Sequence, residues 1–255
     1  MAYVIFAAVG LVLGAFIAIS FWLKSDRVAL DRITMCPLDG PTGHTVILID
    51  ATDEFTAIQK ADLKRYFKDL KSHVPQYSQV AIYAPKEMSD EDFLSPELKI
   101  CNPGDAKGIS GITANPSQIQ RRYDTDFSAK IDNVLDHGLM SEGAATSPVM
   151  EMIQAVSVDA FPIGTTTPKR LIIVSDMLQN ADWYSHYRNK VDFESAKSSP
   201  HFQHVYVDLT GVDVEILYIG RAGYEHLQTN GHGLFWDAFF GYLHGNLLSI
   251  SRIGG

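Results

Sequence analysis

The chain has 255 residues, of which 46% are hydrophobic and 20% charged, and its formal net charge is −9 at pH 7. This length and composition suit one globular domain with a full core and one additional element. The acidic balance, with no run of Lys and Arg, argues against nucleic-acid binding, which needs clustered cations to neutralise phosphates.

The first predicted element is a transmembrane helix over residues 3–23. This stretch carries no charged residue, and its length matches the hydrocarbon core of a bilayer. Phe21 and Trp22 place aromatic rings at one boundary, and Lys24 and Arg27 follow directly. A cleaved signal peptide is the alternative, but no Lys or Arg precedes the apolar run and bulky residues stand where cleavage would occur. We therefore expect a retained, single-pass anchor in an inner (plasma) membrane.

The orientation of this anchor is predicted from the positive charges, which all follow the span, at Lys24, Arg27 and Arg32. The positive-inside rule then places the C-terminal domain in the cytoplasm. The two cysteines do not decide the question. Cys36 and Cys101 can pair in an oxidising compartment or remain free thiols in the cytoplasm. The one-span layout suggests a bacterial source.

Residues 24–43 are predicted to be a juxtamembrane linker, because prolines and glycines interrupt them. Hydrophobic periodicity then predicts alternating strands and helices as far as residue 253. The predicted strands are 44–50, 78–84, 170–175, 212–219 and 247–253, and the predicted helices are 55–70, 117–139, 149–160 and 227–243. Residues 85–116 are predicted to be irregular, and residues 205–209 to form a short extended piece. This alternation predicts an α/β fold, with a doubly wound, mostly parallel sheet flanked by helices.

Two of the predicted strands end in acidic residues. Asp50 ends the apolar run that starts at His44, and Asp176 follows the run Leu171-Ile172-Ile173-Val174-Ser175. In open α/β sheets, ligands bind at the carboxyl ends of the strands. Carboxylates with neighbouring hydroxyls are hard oxygen ligands, which suit Mg²⁺, Mn²⁺ or Ca²⁺. The sequence therefore predicts a divalent-cation site at this edge of the sheet.

Residues 44–253 resemble a von Willebrand factor type A (VWA) domain. The resemblance implies a Rossmann-like fold and a metal-ion-dependent adhesion site (MIDAS), in which a bound cation accepts an acidic group from a partner protein. The MIDAS-like ligands that it implies in this chain are Asp50, Thr52, Glu54, Thr146 and Asp176, with Mg²⁺ as the first candidate ion and Mn²⁺ or Ca²⁺ as alternatives.

Two residues depart from the family pattern. Glu54 stands where the family has Ser, and Met177 stands where it usually has Gly. A Glu at that place can bind a cation directly or through water, but its charge would repel an incoming carboxylate. Structural roles are also available, since Asp176 can bond loop amides and Thr146 can cap the helix after it. A metal site and a degenerate, metal-free site therefore both stay open.

Three functions are compatible with these observations. The first is a membrane-anchored VWA-like module that recruits or organises partner proteins in a membrane complex. It is favoured because no nucleophile–base pair is recognised, so we expect no enzymatic activity. The second is a metal-dependent hydrolase, either a phosphatase or a nuclease. Asp50 follows a strand as in haloacid dehalogenase-like phosphatases, although Thr52 stands where those enzymes need a second Asp. The third is a metal-free structural subunit of a membrane complex.

Overall fold

The protein is described by a computed structural model, which covers residues 6, 10, 11, 13–15, 28–50, 54–85, 95–107, 115–140 and 146–254. The strands in these ranges are β1 (His44–Ile49), β2 (Gln79–Tyr83), β3 (Leu98–Cys101), β4 (Lys169–Ser175), β5 (Val212–Ile219) and β6 (Asn246–Ile253). The helices are α1 (Ala57–His73), α2 (Pro116–Arg122), α3 (Ala129–Gly138), α4 (Val149–Ala160), α5 (Phe193–Lys197) and α6 (Asn230–Tyr242). A π-helical turn (Tyr123–Ser128) joins α2 to α3, and a 3₁₀-helix spans Pro200–Val205.

Within the described ranges, the six strands form one sheet in the order β3-β2-β1-β4-β5-β6. Neighbouring strands run parallel, except that β3 pairs with β2 in the antiparallel direction. The central strand β1 is buried along its whole length, as expected for a parallel strand covered by helices on both faces. The predicted α/β fold is therefore confirmed as a mixed, mostly parallel sheet flanked by helices.

One detail of the predicted pattern is wrong. Residues 85–116 contain the edge strand β3, whose four residues are too short to show a periodicity among the surrounding turn-forming residues. Residues 205–209 form no strand, and Tyr206, which follows the 3₁₀-helix, has extended dihedral angles (φ −73°, ψ 133°). The Leu209 N–H donates to the Leu243 carbonyl after α6, at 2.7 Å.

The core consists of two apolar layers, one on each face of the sheet. The layer under α4 and α6 contains Val46, Ile153 and Trp236, all fully buried. The opposite layer lies under α1 and α3 and includes Leu63 and Phe67 of α1. These layers hold the sheet rigid, so the loops at its carboxyl edge extend from a fixed base.

The start of α1 is set by a capping box. The Thr56 hydroxyl accepts from the Gln59 N–H at 3.2 Å, and the Gln59 side chain accepts from the Thr56 N–H at 2.9 Å. These two bonds satisfy helix N–H groups that have no partner inside the helix. The N-terminus of α1 is thereby fixed.

The segment before β1 is fastened to the sheet. Cys36 and Cys101 form a disulfide with a Cα–Cα distance of 4.8 Å, and the Cys101 N–H donates to the Thr34 carbonyl at 2.7 Å. Of the two possibilities left open by the sequence, the structure shows the paired cysteines. Thr34 and Cys36 of the predicted linker therefore lie beside Cys101, the last residue of β3.

The predicted transmembrane helix, residues 3–23, falls almost wholly outside the described residues. In the part of the chain that is described, no helix is long and apolar enough to cross a bilayer.

Candidate functional site

Three neighbouring parallel strands deliver charged residues to the same edge of the sheet. Asp50 directly follows β1, Asp176 directly follows β4, and Arg221 lies just beyond the end of β5. The Asp50 N–H still donates to the Val174 carbonyl of β4, at 2.8 Å, so this carboxylate starts from the ordered end of the ladder. This is the carboxyl edge, where ligands bind in open α/β sheets.

The first carboxylate of the site is held by two serine hydroxyls. Oδ2 of Asp50 accepts from Oγ of Ser147 at 2.9 Å and from Oγ of Ser175 at 2.8 Å. Asp50 is only 5% exposed, and both serines are buried. Hydrogen bonds to an ionised acceptor are stronger than neutral ones, and they offset part of the cost of burying the charge.

The second carboxylate forms an ion pair. Oδ2 of Asp176 lies 3.0 Å from Nη1 of Arg221, while Oδ1 accepts from the Leu178 N–H at 2.7 Å. The Asp176 side chain is 4% exposed and that of Arg221 is 30% exposed. The pair therefore extends from the interior to the surface at the carboxyl edge.

The backbone of this ion pair is aligned by Gln228, which is buried. Its side-chain N–H₂ donates to the Asp176 carbonyl at 3.0 Å and to the Ile219 carbonyl at 2.8 Å. Its side-chain oxygen accepts from the Arg221 N–H at 2.8 Å. One amide thus joins the loop after β4 to the loop after β5 and fixes the separation of the two charges.

The exposed part of the site is an arginine–tyrosine cluster formed by Arg221, Tyr187 and Tyr224. Nη1 of Arg221 donates to the Tyr187 hydroxyl at 3.0 Å, and its guanidinium lies 5.0 Å from the centroid of the Tyr224 ring. The two tyrosine rings meet edge to face, with centroids 5.2 Å apart. Contacts of this kind hold an arginine in one orientation while leaving part of it open to solvent.

The loop after β4 has an unusual backbone. Met177 has a φ of 60°, the left-handed conformation that a β-carbon disfavours by roughly 1–2 kcal/mol. Its side chain is fully buried, and its carbonyl accepts from the indole N–H of Trp236 at 3.0 Å. The position where the VWA resemblance implies Gly therefore keeps a backbone that favours Gly, held in place by packing.

Two buried histidines, His186 and His232, lie against this loop. Nδ1 of His186 lies 3.1 Å from Nε2 of His232, whose Nδ1 lies 2.6 Å from the Tyr218 hydroxyl. Burial, with a smaller effect of His232, lowers the pKa of His186 to about 3, and burial lowers the pKa of His232 to about 4. Both imidazoles are therefore neutral at physiological pH.

The predicted site residues are distributed unevenly. Asp50 and Asp176 lie at the carboxyl edge, as expected, whereas Glu54 and Thr146 are exposed. Thr52 lies outside the described residues. Ser147, the residue next to Thr146, contacts the Asp50 carboxylate through its hydroxyl.

Sequence reasoning missed three contacts of the carboxylates. Ser147 and Ser175 stand beside residues of the predicted motif, so their hydroxyls were available candidates. Arg221 gave no signal, because it lies 45 residues after Asp176 and belongs to no motif.

The predicted divalent cation would need several oxygen ligands at this edge. Among the described residues, no three His, Cys, Asp or Glu side chains are grouped as metal ligands. Asp176, which the VWA resemblance assigns to a cation, is instead paired with a guanidinium. Among the described residues, the positive charge beside Asp176 is therefore that of a side chain, at a place where the resemblance implies Mg²⁺.

No family model matches the chain, and no curated protein matches it. Three chains of solved structures match. One is an aerotolerance-related membrane protein from Bacteroides fragilis, carrying multiple mutations to serines, with 12% identity over 69% of this chain and 67% of that one and a TM-score of 0.37. Another is the conserved hypothetical protein BatB from Bacteroides thetaiotaomicron, with 14% identity over 70% and 67% and a TM-score of 0.35. Likeness at this level carries no functional information about this chain.

Proposed function

We propose that the chain is a membrane-anchored, VWA-like protein-interaction module that recognises another protein through the carboxyl edge of its sheet. The observation that carries this proposal is the arginine–tyrosine cluster of Arg221, Tyr187 and Tyr224. It lies at the edge where this class of sheet binds ligands, and its ion pair reaches the interior.

The composition of the cluster suits protein recognition. Arginine and tyrosine are enriched among the residues that dominate binding energy at protein interfaces. Tyr224 is 36% exposed, and the Arg221 side chain is 30% exposed, so both can contact a partner. Because Asp176 and Gln228 already hold Arg221 in place, the Arg221 side chain would lose little entropy when a partner binds.

The membrane part of the proposal depends on the sequence of residues 3–23, whose length and lack of charge suit a single-pass anchor in the plasma membrane. A domain held in this way would meet partners that are themselves in or near the membrane. The partners we propose are therefore other proteins of a membrane complex, and the net charge of −9 disfavours nucleic acid.

The enzyme hypothesis receives less support. Oδ2 of Asp50 accepts from two serine hydroxyls, and the side chain is almost fully buried, whereas a nucleophile needs access to its substrate. We therefore propose a non-enzymatic role. Phosphatase and nuclease assays of the full-length protein with Mg²⁺ and Mn²⁺ test this directly, and turnover that Asp50→Asn abolishes would reverse the ranking.

The interaction proposal is tested by photo-crosslinking of the full-length protein in native membranes. A crosslinking residue at Glu225, which is exposed beside the cluster, is compared with one at Ile163, which is fully exposed in the loop before β4 at the opposite edge. We expect a discrete protein product from Glu225 that Arg221→Met removes and that Ile163 does not give. Equal products from both positions, or a product indifferent to Arg221→Met, would contradict recognition through this edge and favour a constitutive structural subunit.

A further inference from the structure

We infer that Arg221 is the resident cation of this site, so that the domain needs no divalent metal at its carboxyl edge. The inference starts from charge. Two carboxylates, Asp50 and Asp176, are buried at the ends of adjacent strands, and buried charges need compensation. The serine hydroxyls on Asp50 supply hydrogen bonds but no positive charge.

The guanidinium supplies that charge on the carboxylate of Asp176. Nη1 lies 3.0 Å from Oδ2, and Oδ1 of the same carboxylate accepts a backbone N–H. A metal ion bound at Oδ2 would have to displace the guanidinium or lie beside it and be repelled. Arginine cannot deprotonate in proteins, so it cannot make room by becoming neutral.

The surroundings of Arg221 show that its position is built into the fold. Gln228 holds its backbone, the Tyr187 hydroxyl accepts from the same Nη1, and the centroid of the Tyr224 ring lies 5.0 Å from the guanidinium. A surface arginine that reached Asp176 by chance would not have a buried glutamine joining its own N–H to the Asp176 carbonyl. The site therefore keeps the acidic strand ends that the resemblance implies but replaces the ion with a side chain.

The test measures thermal unfolding of purified full-length protein in detergent, first freed of metal and then titrated with Mg²⁺, Mn²⁺ or Ca²⁺. We expect the wild-type melting temperature to stay unchanged. Arg221→Met keeps the length of the side chain but removes its charge. Its melting temperature should be lower than that of the wild type, and the ions should raise it. Adding Asp176→Asn to that variant should remove the response. A saturable rise in the wild type that Asp50→Asn and Asp176→Asn abolish would overturn the inference.

Two features keep this test decisive. The wild-type titration needs no variant, so a failure of Arg221→Met to fold leaves the main result intact. The inference rests on the proposed interaction function only because both concern the same edge of the sheet. Either proposal can fail while the other holds. Absence of a crosslinked partner would remove the function without affecting the titration, whereas metal binding would remove the inference without affecting a partner.

A second inference comes from an independent observation, the Cys36–Cys101 disulfide. We propose that the domain folds in an oxidising compartment, on the side of the membrane opposite to the cytoplasmic side predicted from charge. Disulfides persist outside the reducing cytoplasm. Both cysteines are buried, and the bond closes a separation of 65 residues between the segment after the anchor and the sheet edge.

The bond forms by thiol–disulfide exchange. The two thiols lose two protons and two electrons to the disulfide of an oxidoreductase, which is released as a dithiol. Once formed, the bond shortens the loop of the unfolded chain and stabilises the fold most for a long separation such as this one.

Acid quenching of cells that produce the full-length protein, followed by alkylation under denaturing conditions, tests this placement. We expect no labelling without reductant and two labels after reduction, while Cys36→Ser should give one label without reductant. Two labels on the wild type without reductant would contradict the inference. As a second readout, alkaline phosphatase fused at the C-terminus should be active, and an inactive but abundant fusion would also contradict it.

Discussion

The buried pair His186 and His232 predicts that the protein loses stability in mild acid. Nδ1 of His186 accepts from the Gln179 N–H at 3.3 Å and lies 3.1 Å from the ring nitrogen Nε2 of His232. Protonation of Nδ1 would place its new hydrogen against the Gln179 N–H. Nε2 of His232 also faces the Met177 carbonyl, at 3.0 Å, so its proton belongs there and its Nδ1 accepts from Tyr218.

The direction and size of the stability change follow from the difference between the folded and unfolded pKa values. Both folded-state pKa values are depressed, to about 3 for His186 and about 4 for His232, below an unfolded value of about 6.5. The contribution of the two neutral histidines to the free energy of unfolding is therefore complete above pH 6.5. It is lost as the pH falls, because only the unfolded state gains protons. Between pH 7 and pH 5 each histidine should lower the free energy of unfolding by about 2 kcal/mol. The two together should lower it by about 4 kcal/mol.

Urea denaturation at pH 8, 7, 6 and 5 measures this loss, and His186→Phe isolates one half of it. Phe fits the aromatic surroundings of Phe235 and Trp236, and the Gln179 N–H keeps the Met177 carbonyl as an acceptor. The variant should lose about half of the pH dependence, whereas His226→Gln, on the surface, should leave it unchanged. A wild-type stability that is flat from pH 7 to pH 5 would refute the reasoning.

Three further predictions concern single sites, each measured by urea denaturation. Ser147→Ala removes one hydroxyl from the Asp50 carboxylate and should cost about 1.5–3 kcal/mol, whereas Thr146→Ala should change stability by less than about 0.5 kcal/mol. Equal losses would contradict the assignment of Ser147. Thr56→Ala should cost about 1 kcal/mol through the lost helix cap and Thr56→Ser much less, and equal losses would argue against a capping hydroxyl. Met177→Gly should be about 1 kcal/mol more stable than Met177→Ala, because Gly tolerates the left-handed backbone, and the opposite order would contradict that conformation.

The parts of the fold that the sequence predicted are those with a strong local signal. β1 and β4 contain the continuous apolar runs 46–49 and 171–174, which are buried in the centre of the sheet. β3 could not be predicted, because its four residues form a strand only through pairing with β2. A strand that forms only by pairing with its neighbour shows no periodicity in its own sequence.

Only those site residues whose position follows from the direction of the strands could be predicted. Asp50 and Asp176 end parallel strands, so they had to meet at one edge. The choice between Thr146 and Ser147 depended on a tertiary contact, the bridge that pairs Ser147 with Asn180, which turns the serine hydroxyl inward. Arg221 reaches Asp176 through pairing of β4 with β5, and no local pattern encodes that distance.

The central position of β1 has a consequence during synthesis. One edge of β1 pairs early with β2, but the other waits for β4, and Asp50 meets Ser175 across 125 residues of chain. At about 5–20 residues per second, ribosomes need roughly 6–25 s to make that stretch. During this interval an apolar strand has an open edge, which is a template for wrong pairing. A chain that stays unfolded until β4 has been made, as it would before crossing the membrane to an oxidising compartment, does not present this open edge.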